Sequence, residues 1–232
     1  MCGRSEDKGA EVVAAIAAAA PGCTAIYVKC DLTVPGDIEK VAAKTDEAFG
    51  KCDGLVNSAA MATRGEWGSI TAEHCDKLYK LNFRAPILMT QAATNLMIRG
   101  ATGGSVVNIG SINGHGGQSN LAVYASTKGG LMTMTKHSAW ALRQHHIRAN
   151  YIAVGWMYTP AEDAMMQSEG ASPEWIKKAD AGHPMGRILR PVDVAKLVVH
   201  LLSDDSAMQS GGIIDLHENY GLCCWDGQPD SS

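Results

Sequence analysis

Apolar positions along the chain fall into short β-branched runs that alternate with stretches of helical spacing. Val12, Val13 and Ile16 share one face of a helix over residues 5–20, capped by Ser5 or Asp7 and ended by Pro21-Gly22. Residues 24–30 read as a strand. A helix over 36–49 turns Ile38, Val41, Ala48 and Phe49 inward and closes at Gly50. A strand at 53–57 leads to a loop holding Trp67, then to a long helical stretch over 71–99 interrupted around Pro86. The run at 104–109 reads as a buried parallel strand. The helix that follows carries Tyr124 and runs to about His146, although Gly129 and Gly130 each cost it roughly 1 kcal/mol against Ala. Close approach of another backbone, or of a cofactor, would explain them. A strand at 147–154 precedes two short helices within 161–187, one capped by Ser172 with Pro173 at its first position. Met165, Met166, Trp175 and Met185 make that segment either a lid or an ordinary amphipathic packing element. A helix at 192–202 and a strand at 211–216 complete the pattern, and a polar tail follows from Gly221.

The bulk numbers narrow the classes. A chain of 232 residues, 46% hydrophobic and 19% charged, suits one globular domain over 1–232 with a full core. A net charge of -4 without any Lys/Arg run argues against a nucleic-acid partner. No apolar run is long enough to span a bilayer, and residues 1–8 lack the apolar core of a signal peptide, so a cytoplasmic protein is expected. The seven Cys are scattered without a Cys-x-x-Cys, and adjacent Cys223 and Cys224 have poor geometry for a disulfide, so reduced thiols are expected. The eight His show no pair at metal-ligand spacing, and no metal site is expected.

The chemistry concentrates between Ser111 and Lys128. Tyr124 and Lys128 are four apart, which puts both on one helical face. A cation beside a phenol favours the phenolate and so is expected to lower its pKa toward the working range. The bare pair is weak, since a surface Tyr and a solvated Lys reach this spacing by chance. Its context adds weight. Ser111 lies thirteen positions before Tyr124, at the C-terminal end of the 104–109 strand, where open α/β sheets place their sites.

With that Ser-Tyr-Lys spacing the chain resembles the short-chain dehydrogenase/reductase family. The likeness extends to Asn57-Ser58-Ala59-Ala60, similar to the family's Asn-Asn-Ala-Gly strand end, to Asn82, and to the segment 150–160. The resemblance implies an α/β fold with a Rossmann-like doubly wound parallel sheet, and an NAD(P)-dependent oxidoreductase acting on a small alcohol or carbonyl. It assigns Asn82, Ser111, Tyr124 and Lys128 to catalysis, with Ser111 and Tyr124 also on the substrate. Arg4, Asp31, Leu32, Asn57, Ala59 and Thr159 join Tyr124 and Lys128 at the cofactor. His115 and Trp156 would line the substrate pocket, whose mixed polar and aromatic groups suit a sugar or polyol as well as a cyclic ketone. Two departures stand out at the strand end. Ser58 replaces an amide that braces the sheet, and Ala60 replaces a Gly, with mild strain expected if φ is positive there. The family's homo-oligomers, commonly tetramers, imply association here through the helices at 71–99 and 123–146.

Measured against the family, the chain begins at the end of the second strand, which Cys2-Gly3-Arg4 resembles. The first βα unit and most of that strand are missing, and no glycine-rich Gly-x-Gly-x-x-Gly turn occurs. The strand at 24–30 is then expected to be severed from the strand at 53–57, and dinucleotide binding by the chain as written to be weak for want of the pyrophosphate's amide cradle. Gly3 stands where NAD enzymes place a carboxylate, and Arg4 follows it, which favours NADP over NAD. The alternative is a truncated, catalytically silent relative acting as a subunit or binding module. A sugar-nucleotide epimerase of the extended relatives ranks lower, because the C-terminal part leaves little room for a substrate domain.

Overall fold

The computed structural model describes residues 1–217. In chain order it contains β1 (Cys2–Gly3), α1 (Glu6–Ala19), β2 (Val28–Lys29), α2 (Pro35–Phe49), β3 (Gly54–Asn57) and α3 (Ala72–Tyr79). A π-helical turn (Lys80–Arg84) joins α3 to α4 (Ala85–Gly100). Then come β4 (Gly104–Ile109), α5 (Ala122–Leu142), β5 (Ile147–Val154), α6 (Pro160–Ser168), α7 (Trp175–Ala181), α8 (Pro191–Leu202) and β6 (Ile213–Leu216). The expected polar tail and the Cys223-Cys224 pair lie outside the described residues.

The fold is α/β, with a parallel sheet of order β3-β4-β5-β6 covered on both faces. Alternation along the strands decides which side chain meets which layer. Val106 and Ala149 pack with Ala93 and Met97 of α4, and Tyr151 and Ala153 pack with Leu131 of α5. On the opposite face Val107, Ile152 and Val154 meet Val194 and Leu201 of α8. β5 lies between two partners and is almost wholly buried, which is why apolar residues dominate it apart from Arg148 and Asn150.

β1 and β2 form a separate two-stranded parallel sheet, in keeping with the severed strand expected from the sequence. The strand expected over 24–30 shrinks to Val28–Lys29, because its partner offers only Cys2 and Gly3 for pairing. α2 ties this region to the main sheet by packing Ile38 against Ala85 and Met89 of α4. Phe49, expected inside, is 44% exposed. Three further expectations are corrected. The break in the 71–99 helix falls at the π turn around Asn82, and Pro86 sits harmlessly in the first turn of α4. The second short helix of the 161–187 segment starts at Trp175 behind Glu174, and not directly after a Ser172 cap. Ala60 is not at positive φ, since Ala101 and His146 are the two such non-glycine residues among those described.

Candidate active site

The C-terminal ends of β4 and β5 set the site. Ser111 follows β4 and opens a short 3₁₀ turn (Ile112–His115), its Oγ accepting the Asn113 N–H at 3.1 Å. Beneath this corner lies Tyr151, wholly buried on β5. Its hydroxyl accepts the Ser111 N–H at 2.9 Å and faces two carbonyl acceptors, Ser111 O at 3.1 Å and Lys128 O at 3.3 Å. The ring demands Gly110, where an added Cβ would fall 1.8 Å from its Cζ. Tyr151 therefore fastens the Ser111 corner to the turn of α5 that carries Lys128. Sequence reasoning passed over it, because a Tyr in an apolar strand reads as core.

α5 supplies the other two groups. Tyr124 in its first turn stands close enough to Ser111 for that hydroxyl to act on its phenol. Lys128, one turn on, is 3% exposed, and its Nζ donates to Ile109 O at 2.8 Å. Burial pushes the Lys128 ammonium down to about 8. The glycine cost now has its reason in close contacts: a Cβ on Gly129 would sit 3.1 Å from Gly114 O, in the loop after Ser111, and one on Gly130 would sit 3.0 Å from the Phe83 ring.

One electrostatic expectation is corrected. The Tyr124 phenol is raised from its ordinary value, not lowered. Burial is the largest cause, the Ser111 hydroxyl opposes it, and the negative charge of Glu162 adds to it. The Lys128 Nζ lies 5.8 Å from the Tyr124 ring centroid and is drawn to Ile109 O, so it does not offset the phenol's burial.

Asn82 is fully buried in the π turn, a feature often found at functional sites. Its carboxamide clasps the Met61 backbone, Oδ1 accepting from Met61 N at 2.8 Å and Nδ2 donating to Met61 O at 2.7 Å. Nδ2 also reaches Thr127 Oγ1, beside Lys128, at 3.3 Å. Asn57 turns inward as well: its Nδ2 donates to Asn108 Oδ1 at 2.8 Å and Thr90 Oγ1 at 3.1 Å, while Asn108 donates to Thr135. The amide that braces the sheet is thus Asn57 itself, and Ser58 removes nothing from that ladder. Ala59 lies exposed just past the strand end.

The remaining predicted residues sit in two places. Asp31 and Leu32 follow β2. Asp31 Oδ1 accepts from Thr33 N and Oγ1, which holds its carboxyl below the usual range, with the charge of Arg4 helping. It is therefore a turn residue that also keeps company with Arg4, while Leu32 packs into the α2–α4 cluster. Thr159 caps α6, its Oγ1 accepting from Glu162 N at 3.0 Å. Trp156 stacks on Trp175 with centroids 5.7 Å apart and donates its indole N–H to Glu162 Oε1 at 2.8 Å. His115 has turned toward the end of β6, Nε2 lying 3.4 Å from Asp215 Oδ1. Glu162 carried no signal in the sequence beyond standing three residues after Thr159.

A parallel α/β sheet with a hydroxyl, a phenol and a buried ammonium gathered at adjacent strand ends is a Rossmann-like framework bearing a proton-transfer site. The family model described as enoyl-(acyl carrier protein) reductase matches residues 1–217. Galactitol 2-dehydrogenase of Agrobacterium fabrum is 36% identical over 200 residues, 83% of this chain and 77% of that protein. L-rhamnose 1-dehydrogenase (NAD(P)(+)) of a Sphingomonas species is 31% identical over 193 residues, 83% of this chain and 74% of that one. The crystal structure of levodione reductase superimposes with a TM-score of 0.84 at 26% identity, covering 93% of this chain and 84% of that chain. The chain belongs to the short-chain dehydrogenase/reductase family of oxidoreductases.

Proposed function

We propose that the protein is an NAD(P)-dependent oxidoreductase that interconverts a secondary alcohol and a carbonyl on a sugar or polyol. The observation that carries this reading is the convergence of Ser111, Tyr124 and buried Lys128 at the ends of β4 and α5, and the likeness to a galactitol dehydrogenase supports the substrate class. In the reaction Tyr124 exchanges the proton of the substrate oxygen, and Ser111 donates a hydrogen bond to that oxygen. Lys128 holds positive charge beside the phenol as the proton leaves. Asn82 fixes the π turn against Met61 and Thr127, and so the place of α5. A bound dinucleotide supplies or accepts the hydride.

The donor set suits the nicotinamide half of such a cofactor. An ammonium has three N–H donors, and Lys128 gives one to Ile109 O. Its other two have no partner among the described residues, which fits a ribose diol reaching in beside Tyr124. Thr159 and the backbone around it are the candidates for the carboxamide end. Asp31, Ala59 and the backbone of Leu32 and Asn57 are the candidates for the adenosine side. Arg4 at the end of β1, with no carboxylate in its place, favours NADP over NAD. No glycine-rich strand-to-helix turn is present among the described residues for the pyrophosphate.

A cytoplasmic homo-oligomer is part of the same reading. Among the described residues no helix is long and apolar enough to cross a membrane. An apolar groove between α3 and α5, lined by Trp67, Ile70, Tyr79, Phe83 and Val123, suits a second copy of this chain. A substrate panel tests the function. With dinucleotide in large excess, to offset the weak binding expected without a glycine-rich turn at the pyrophosphate, the purified protein should reduce NADP⁺, and NAD⁺ less well, in the presence of galactitol. Failure with every polyol, aldose and cyclic alcohol tried, on either nucleotide, would remove the reading.

A further inference from the structure

Arg64 and Glu169 stand 105 positions apart in the chain, yet the Arg64 Nη1 donates to Glu169 Oε2 at 2.5 Å. Among the described residues this is the one side-chain hydrogen bond between the loop after β3 and the 160–170 segment. The Arg64 loop lies beside the Tyr124 end of α5. Asn82 clasps Met61, and Gly65 N donates at 2.8 Å to Asn120 O, four residues before Tyr124. Glu169 closes α6, its N–H returning to Met165 O at 3.0 Å. The start of α6 is held on the β5 side, where Tyr158 N donates to Leu189 O at 2.9 Å and Leu189 N to Trp156 O at 3.0 Å. In the sheet order β4 lies between β3 and β5. A helix that starts off β5 and finishes against the loop after β3 therefore crosses the end of β4, which Ser111 follows. The lengths agree: nine helical residues span about 13 Å, and two strand spacings about 10 Å.

We propose that the Arg64–Glu169 pair fastens α6 as a strap across the Ser111–Tyr124 site, and that both are positioning residues that keep the substrate there during the reaction; this rests on the oxidoreductase reading above. α6 needs such a fastening. None of its residues is buried, and beyond Glu169 the chain turns at Gly170, with φ +85° and open space around it. The other end of the helix is rooted. Thr159 caps it, and Glu162 and Asp163 each accept an indole N–H at 2.8 Å, from Trp156 and Trp175. A helix rooted at its start and tied at its finish by one ion pair swings about the root when the pair breaks. The strength of the pair suits that motion. Its side chains are 30% and 42% exposed, and an ion pair so open to water shifts an open–closed equilibrium by a factor of only about two to five. That is too little to hold a fold together, and enough to bias a strap that must release product on every turnover. Arg99 and Asp46 form a pair of the same kind, joining α4 to α2 away from the site, and serve as the control.

Deuterium exchange of the α6 amides, read by mass spectrometry on the full chain without dinucleotide or substrate, tests the fastening. Arg64→Ala should speed exchange about two- to fivefold. Glu169→Arg, which sets two guanidinium groups against each other, should speed it further. The double variant Arg64→Glu with Glu169→Arg should restore the parent's protection, and Arg99→Ala should leave α6 unchanged. Galactitol kinetics with dinucleotide in large excess test the placement over the site. In the single variants KM should rise by about the same factor while kcat holds or increases, and the double variant should recover the parent's KM. A merely structural role would instead lower kcat and Tm together at constant KM. Unchanged α6 exchange in Glu169→Arg, or a double variant that restores nothing, would overturn the proposal and leave the oxidoreductase reading in place. Faster exchange with an unchanged KM would likewise overturn it, by showing that α6 does not retain the substrate. A parent inactive on every alcohol would remove the oxidoreductase reading and the positioning role with it.

Discussion

Tyr151→Phe removes one oxygen from the fully buried point where the Ser111 corner meets α5. The magnitude follows from its bonds. The buried Ser111 N–H loses its acceptor, at about 1–3 kcal/mol for an unsatisfied donor, and the carbonyls of Ser111 and Lys128 lose a shared donor, at about 1 kcal/mol more. Cavity cost is small, because the ring stays. The sum is about 2–4 kcal/mol, which for a chain of this length lowers Tm by roughly 5–15 °C. The phenol does not titrate in the working range, since burial raises its pKa strongly, so the loss should be the same across about three pH units around neutrality. Activity should suffer beyond the stability loss: with Ser111 and Lys128 no longer fastened together, kcat should fall about tenfold at a temperature where the variant is fully folded, while dinucleotide affinity changes little. Thermal melts and steady-state kinetics on the parent and the variant measure both. A Tm within about a degree of the parent together with an unchanged kcat would refute the reasoning.

Three further outcomes are expected. Lys128 has a folded pKa of about 8, below its ordinary value of 10.5, so the folded state holds fewer protons than the unfolded state between these values. Stability without dinucleotide should therefore rise by about 3 kcal/mol from pH 8 to 10.5 relative to a Lys128→Met variant, and be lost again as pH falls through 8, as read by urea melts. Arg148→Lys should cost about 2 kcal/mol in the same assay with little effect on rate, because the guanidinium holds the Leu201, Ser203 and Gln209 carbonyls and the Ser206 hydroxyl at the far end of the sheet. Arg4→Asp should reverse the NADP over NAD preference in nucleotide titrations, and an unaltered preference would count against the role given to Arg4.

The sequence made the strands β3 to β6 and the Ser-Tyr-Lys set legible for different reasons. β5 at 147–154 matches its predicted span because both its faces are buried, leaving an apolar run that little polar interrupts. The Ser111, Tyr124 and Lys128 set is readable because its spacing, thirteen residues across one loop and four along one helix, is local and resembles that of a known family. Features that depend on distant partners were not readable. The Tyr124 pKa turns on the burial of the phenol and on Glu162 of α6, thirty-eight positions away, so the local Lys128 pointed the wrong way. Asn57 faces the interior because Thr90 and Asn108 meet it there, which no local pattern reveals. The helix break falls at Asn82 and not at Pro86 because a proline in the first turn of α4 is tolerated, whereas Met61 draws the Asn82 amide into the core.

The central claim is that Tyr124 moves the proton while other groups hold the dinucleotide. The most direct measurement is NADPH affinity by fluorescence titration beside turnover of galactitol, for the parent and for Tyr124→Phe. The account predicts an affinity within about twofold of the parent and a rate lower by on the order of 10²–10⁴. A Tyr124→Phe protein that keeps most of its rate would contradict it.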